Sequence, residues 1–433
     1  MVIPEMTNKE KPIKHPVTLF ENKPNCCGCS SCFAICPARA ISMQTDDEGF
    51  LYPVINSDKC IHCCQCVKVC AFKVDQKARF FSEKASETEC AKSVNYYKRK
   101  KQSVPYTYAV KHLNMDIRME SRSGGVFTAL SDSVLGKGGV IYGCALTEDF
   151  NAAHIRAEDA DTRDCMRGSK YIQSDMGDIF IRVKDDLQNG REVLFSGTSC
   201  QIAGLSAFLG KDYENLFLVD IVCHGVPSPA VWQRYLRWQE KKSKSLVIGA
   251  EFRNKYGFGW KSHFESLYMI NGKQVNSQIF KSLFFGHWIL RPACFHCPYK
   301  DVIHPGNITI ADYWGIDRIE PSFNDNKGIS LVMINDEKGL RFFENVRHDL
   351  EIIETDIEKS LQPPLIAPFP EPYDRETFWN DYRKKSFETI AKKYAGYGDF
   401  NMYKSYIKGV GSGIFKRLNG FRHAGDDENK KSE

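Results

Sequence analysis

Two back-to-back runs of four cysteines, a polar stretch behind them, and a long remainder in which short apolar segments alternate with helical ones predict an α+β ferredoxin-like two-cluster domain followed by an α/β domain. The first run is Cys26, Cys29, Cys32 and Cys36, spaced C-x2-C-x2-C-x3-C and followed by Pro37; the second is Cys60, Cys63, Cys66 and Cys70, followed by Ala71. Three thiolates two residues apart can wrap one 4Fe-4S cubane, while the fourth points away and ligates the other cluster. The expected sets are therefore Cys26, Cys29, Cys32 and Cys70 on one cluster, and Cys60, Cys63, Cys66 and Cys36 on the other. A zinc ribbon uses two separated C-x2-C pairs, not four cysteines in each run. Cys27 and Cys64 each follow a ligand directly and read as non-ligating thiols. This first unit is expected to span residues 20–80.

Composition fits that class. At 433 residues the chain is long enough for two or three domains of roughly 100–200 residues. Hydrophobic residues at 42% and charged residues at 26% are the balance of a globular protein. A formal net charge of +5 is small for this length and argues against nucleic acid or a membrane surface as partner. No apolar run reaches the about 20 residues that span a bilayer, so no membrane span is expected. Met1 to Pro16 carries no apolar core of a signal peptide, which predicts a cytoplasmic protein, and 17 cysteines in a reducing compartment point to metal ligation over disulfides.

Residues 81–104 are polar and basic, with Lys98, Arg99, Lys100 and Lys101 in a row, and read as a linker. From about Tyr106 the α/β body begins. Gly139 to Ala145, Glu192 to Phe195, Leu216 to Val222 and Ile308 to Ala311 read as buried strands, rich in Val, Ile and Leu. Met176, Ile179, Phe180, Val183 and Leu187 recur at helical spacing and predict a helix packed on the sheet.

Four stretches are poor core material at the ends of these elements. Ser121-Arg122-Ser123-Gly124-Gly125 precedes a helix expected from Val126, whose free N–H groups suit a phosphate, with a Ser-capped helix start as the plainer reading. Arg167-Gly168-Ser169-Lys170-Tyr171 sets two cations and a hydroxyl beside a glycine, suited to a pyrophosphate or an anionic flavin edge. Gly197-Thr198-Ser199-Cys200-Gln201-Ile202 and Asp220-Ile221-Val222-Cys223-His224-Gly225-Val226-Pro227 each place a cysteine at the carboxyl end of a strand, where α/β folds bind ligands. Cys294 and Cys297 form a C-x2-C pair after Arg291-Pro292. With Cys200 and Cys223 they make a third set of four candidate ligands; the alternative is Cys200 as a nucleophile or redox thiol served by His224. Cys90, Cys144 and Cys165 read as inert thiols.

These residues resemble the beta subunit family of coenzyme F420 hydrogenase and dehydrogenase. The stretches that carry the resemblance are SGGVFTAL from Ser123, RGSKYIQSDMG from Arg167, GTSCQIAGL from Gly197, DIVCHGVPSP from Asp220, and CFHCPYK with ITIADYWGI between Cys294 and Ile316. The likeness spans roughly residues 20–350. It implies that the α/β part is a flavin-binding domain, divided into residues 105–190 and 191–350. It implies that Ser123, Gly124, Gly125, Ser169, Lys170 and Tyr171 line FAD, and that Cys200, Cys223, Cys294 and Cys297 ligate a further cluster. Where the family often has Ser and Pro, this chain has Arg122 and Ser199; Arg122 adds a cation beside the expected phosphate site. The implied activity is a flavin- and iron–sulfur-dependent oxidoreductase, partnered by an electron-donor or acceptor protein or by a small-molecule hydride carrier. The alternative is a non-catalytic electron-transfer subunit of a larger redox complex.

Residues 351–433 read as a helical extension on the outside of the body. Gly409, Gly411 and Gly413 lack a preceding strand and read as a loop, and the polar tail from Gly425 is expected to be disordered.

Overall fold

The computed structural model describes residues 17–72 and 105–398. The expected linker with its Lys98–Lys101 run, Cys90, the glycine loop and the tail lie outside these residues.

The N-terminal unit is a hairpin flanked by its two cysteine loops. Strands β1 (Ile41–Thr45) and β2 (Leu51–Ile55) pair antiparallel, with Asp46 closing the turn by accepting from the N–H groups of Glu48 and Phe50. Short helices Ser31–Ile35 and Gln65–Lys68 each begin inside a cysteine run. The two runs also repeat in backbone conformation: Gly28 and His62 are left-handed, and so are Ser30 and Cys64. Alternation of left-handed with ordinary residues turns successive N–H groups to one side, the geometry that cradles an anion.

The body is built on one mixed sheet. Its strands are β3 (Tyr106–His112), β4 (Val140–Leu146), β5 (Ala152–Ala157), β6 (Ser174–Asp175), β7 (Val193–Thr198), β8 (Leu216–Ile221), β12 (Ile308–Asp312), β13 (Ser330–Ile334) and β14 (Leu350–Thr355), ordered β14-β3-β13-β12-β8-β7-β4-β5-β6. The numbers between belong to a separate antiparallel sheet of β9 (Val247–Glu251), β10 (Glu265–Met269) and β11 (Gln274–Ser277). The four strands expected from apolar runs are β4, β7, β8 and β12, and they lie side by side and parallel. Alternation sorts their side chains. Val140, Tyr142, Val193, Phe195, Leu216 and Leu218 meet helices Ile179–Gln188 and Ser199–Leu209 on one face; Ile141, Leu194, Val219 and Ile308 meet helix Val126–Leu135 on the other. Burial on both faces is why these strands read as continuous apolar runs.

The helices beyond residue 351 do not merely coat the body. Phe378, Trp379, Phe387 and Ile390 are buried in a second core with Trp232, Tyr235, Phe280 and Leu283. The amphipathic pattern of such helices is the same whether the apolar stripe covers a surface or completes a core.

The N-terminal unit is docked on this body by close packing. A Cβ on Gly204 would stand 2.7 Å from Ser31 Oγ and 2.9 Å from Cys29 Sγ, so only glycine lets helix Ser199–Leu209 approach the first cysteine loop. Ser31 Oγ donates to Gly204 O at 2.8 Å, Gln173 accepts from Leu51 N at 2.9 Å, and Glu48 forms a buried ion pair with Arg375.

Candidate functional site

The structure draws the cysteines into neighbouring groups. The charges acting on Cys32 are those of Cys29, Cys26 and Cys70, while Cys36 and Cys63 act on Cys66. Cys36, Cys60, Cys63, Cys64 and Cys66 line one small cavity, with Ile41 and Ile55 behind them. The fourth cysteine of each run therefore crosses to the other run's trio. Burial pushes Cys26, Cys32 and Cys66 above the ordinary thiol range, whereas Cys29 is lowered to about 6 by the neighbouring Cys27 thiol and by Ser31. Among the described residues no group of three or more His, Cys, Asp or Glu side chains converges as tightly as a single metal ion requires. In a cubane each thiolate binds a different iron, so its ligands stand wider apart.

The third set also comes together. Cys200 lies in the first turn of its helix, Cys223 follows β8, Cys294 lies within the 3-10 turn Pro292–His296 and Cys297 caps its end. Each of the four lies within electrostatic reach of others of the set. Burial pushes Cys294 up to about 12 and raises Cys223 and Cys297 as well. Cys200 goes the other way, lowered by the neighbouring Cys27 thiol and by the Thr198 hydroxyl. Cys27, read from sequence as a non-ligating thiol, lies between the groups, within electrostatic reach of both Cys29 of the first and Cys200 of the third. Cys70, Cys200 and Cys297 share an apolar surround of Ala71, Phe72, Ala203 and Tyr299. The alternative pairing of Cys200 with His224 is not formed: Cys200 shares a hydrogen bond with Thr198 Oγ1 at 3.2 Å, while His224 Nε2 bonds His287 Nε2 at 3.0 Å.

Parallel strands present their carboxyl ends to one side, and there lies a cavity of about 1210 Å³. All four stretches singled out in the sequence contribute to its wall, from Ser121 to Gly125, Arg167 to Gln173, Gly197 to Gln201 and Val222 to Pro227. Ser123, Gly125, Ser169, Lys170 and Tyr171 line it; Gly124 does not, being pressed against β3 and β13, where a Cβ would collide with Val110 O. Cys27, Cys200 and Cys223 also face the cavity. Helix Val126–Leu135 opens on left-handed Gly125, which has no side chain to cap it, and the nearby Ser123 hydroxyl donates to Ile329 O at 2.6 Å.

The cations divide into those held locally and those facing the cavity with charge to spare. Lys170 Nζ donates to the carbonyls of Cys165 and Arg167, and burial lowers it to about 8; Arg167 pairs with Glu120 and Asp164. Arg122 and Arg253 share one carboxylate neighbour, Asp312, which Arg253 bonds at 2.5 Å. Arg122 donates to the carbonyls of Arg253 and Trp260, and its buried Nε has no partner. Burial beside Arg253 brings Arg122 down to about 10. The remaining wall is aromatic: Trp314 under Arg253, Phe284 and Phe285, and Phe369, on which His224 stacks at 4.2 Å. Sequence reasoning missed Arg253 and the Pro363–Phe369 segment, which carry no local motif and reach the cavity only through tertiary packing; Trp314 lies in the ITIADYWGI stretch, but the resemblance assigns it no role there.

The fold and these cysteine groups define a class: a dicluster iron–sulfur unit packed on an α/β body with a large cavity at its strand ends. Residues 25–74 match the family model of the 4Fe-4S dicluster domain, and residues 190–360 match that of the C terminus of the coenzyme F420 hydrogenase/dehydrogenase beta subunit. Two segments of the chain are thus similar to these families. No curated protein matches the chain. Among solved structures it is similar to a chain of the F420-reducing [NiFe] hydrogenase complex from Methanosarcina barkeri, at 18% identity and a TM-score of 0.42, over 57% of this chain and 82% of that one. Among the described residues no helix is long and apolar enough to cross a membrane.

Proposed function

We propose that this chain is an oxidoreductase that holds FAD in the large cavity and passes electrons between a hydride donor or acceptor there and 4Fe-4S clusters. A bound flavin would supply exchange between two-electron hydride chemistry and the single electrons that cubanes carry. The observation that carries this reading is the convergence of four distant stretches on one cavity whose wall also bears Cys200 and Cys223. The cavity exceeds the roughly 300–1,000 Å³ of an ordinary single-ligand site, leaving room for a dinucleotide and a second molecule.

The residues fit the group. Arg122, with its unpartnered Nε, and Arg253 bring guanidinium donors to the cavity wall, which suits phosphates beside the uncapped start of helix Val126–Leu135. Ser123, Gly125, Ser169 and Tyr171 would line the cofactor, while Phe284, Phe285 and Phe369 exclude water. The two loops with left-handed residues would hold the N-terminal clusters at Cys26, Cys29, Cys32 and Cys70 and at Cys60, Cys63, Cys66 and Cys36. Cys200, Cys223, Cys294 and Cys297 would hold a third between cavity and first loop.

The second loop is the exposed end of this series. Ile61 is 59% exposed, and Cys63 and Cys64 are exposed. That favours delivery to a partner protein and supports the second reading, an electron-transfer subunit of a larger redox complex.

Protein purified without oxygen tests both. A bound or bindable FAD, reduced by a nicotinamide or deazaflavin hydride donor with iron–sulfur EPR signals appearing in step, is the expected result. Clusters that bind no FAD would refute the flavin reading. Turnover of the isolated chain with a dye acceptor separates the enzyme from the subunit.

A further inference from the structure

Arg291 is 1% exposed and lies against the first cysteine loop. Its Nε donates to Cys26 O at 2.8 Å, and its Nη2 donates to Leu51 O at 3.0 Å with Cys26 Sγ at 3.8 Å. The face of Tyr52 stands 4.0 Å from the guanidinium carbon. The buried Nη1 has no partner.

Four other buried arginines among the described residues are paired with carboxylates. Arg375 pairs with Glu48, Arg253 with Asp312, Arg163 with Asp132 and Asp164, and Arg118 with Asp325. Arg291 makes no ion pair among the described residues, and the thiols within reach of its charge include Cys26 and Cys27 of the first loop and Cys200 and Cys294 of the third set. A buried cation with no counter-ion is strongly disfavoured, so an anion at this place would resolve the imbalance. The unpartnered Nη1 also has a direction. A Cβ on left-handed Gly28 would meet it at 2.9 Å, and would meet Gln173 Nε2, a second buried donor without a partner, at 2.6 Å. Two orphaned donors thus converge on the loop between Cys26 and Cys29.

We propose that Arg291 is a positioning residue for the cluster held by Cys26, Cys29, Cys32 and Cys70, supplying its counter-charge and an N–H hydrogen bond and thereby raising its reduction potential. The assignment rests on the dicluster reading and is independent of the flavin. A cubane with four thiolates is anionic and becomes more negative by one charge when it takes up an electron. A fixed cation beside it favours the reduced form, and cluster potentials respond to net charge and to hydrogen bonds at sulfur.

The test is an EPR-monitored redox titration of the full chain, prepared without oxygen, as wild type, Arg291→Lys and Arg291→Gln, with iron and sulfide counted in each. At the poise that half-reduces the first cluster in wild type, Arg291→Gln should lower its reduced-to-oxidised ratio about tenfold, which is about 59 mV for a one-electron couple. The second cluster should keep its midpoint, and Arg291→Lys should shift the first by less. Unchanged midpoints with iron retained, or an equal shift of both clusters, would overturn the proposal. If Arg291→Gln loses iron, the lysine variant decides: iron retained with a smaller downward shift supports the proposal, and iron lost from both variants overturns it. Wild-type protein lacking iron and sulfide overturns the dicluster reading itself, and this proposal with it.

Discussion

Replacing Glu48 with alanine should loosen the N-terminal unit from the body. Glu48 sits in the turn between β1 and β2, and its Oε1 accepts from Arg375 Nη1 at 3.0 Å while Oε2 accepts from Nη2. The two side chains are only 8% and 10% exposed. With the carboxylate gone, the Arg375 guanidinium keeps Leu290 O at 3.0 Å, the faces of Trp379 and Phe295, and the half-exposed Glu371 carboxylate 3.7 Å from its Nε, but no anion at Nη1 and Nη2. Breaking one side of a buried pair costs about 3–5 kcal/mol, because the remaining charge is stranded. The neighbouring Asp47–Arg383 pair is exposed on both sides and contributes no more than about 1 kcal/mol. Hydrogen exchange over residues 17–72 reads the opening free energy of this unit directly, and Glu48→Ala should lower it by about that 3–5 kcal/mol. The double variant Glu48→Ala/Arg375→Met should recover to within ~1 kcal/mol of wild type, since no charge is then buried alone. A single variant within ~1 kcal/mol of wild type, or a double variant no better than the single, would refute the argument.

Other consequences are equally specific. His154 is buried between Ser174 Oγ and Ser196 O, and burial lowers it to about 4 against about 6.5 in an unfolded chain. Between those values the unfolded state binds the extra proton, so stability is lost as pH falls from about 6.5 to 4, by roughly 3 kcal/mol from this group; urea unfolding of His154→Gln should lack that increment. Gly204→Ala should drive a methyl into Ser31 and Cys29, destabilising by about 1–3 kcal/mol and lowering iron at the first cluster while the second keeps its EPR signal. Cys297→Ser should lower the iron count from about twelve atoms per chain to about eight, with the two N-terminal clusters intact; an unchanged count would remove the third set as a site.

The sequence by itself determined what is local. Cysteine spacing marked both N-terminal loops, since a cubane's ligands are contributed by a few consecutive turns. Buried parallel strands announced themselves as β4, β7, β8 and β12, because a strand covered on both faces must be apolar throughout. The antiparallel flank of β3, β13 and β14 was less legible, and so was the burial of Phe378 and Trp379, whose helical stripe fits a surface or a core equally well. Only the tertiary structure decided how these parts meet. It turned Cys27 from a bystander into the thiol between Cys29 and Cys200, held Lys170 on its own loop's carbonyls, and set Arg291 against a cysteine loop far away in the chain. Hydrogen bonds and charges of that kind depend on distance in space, and no residue spacing records them.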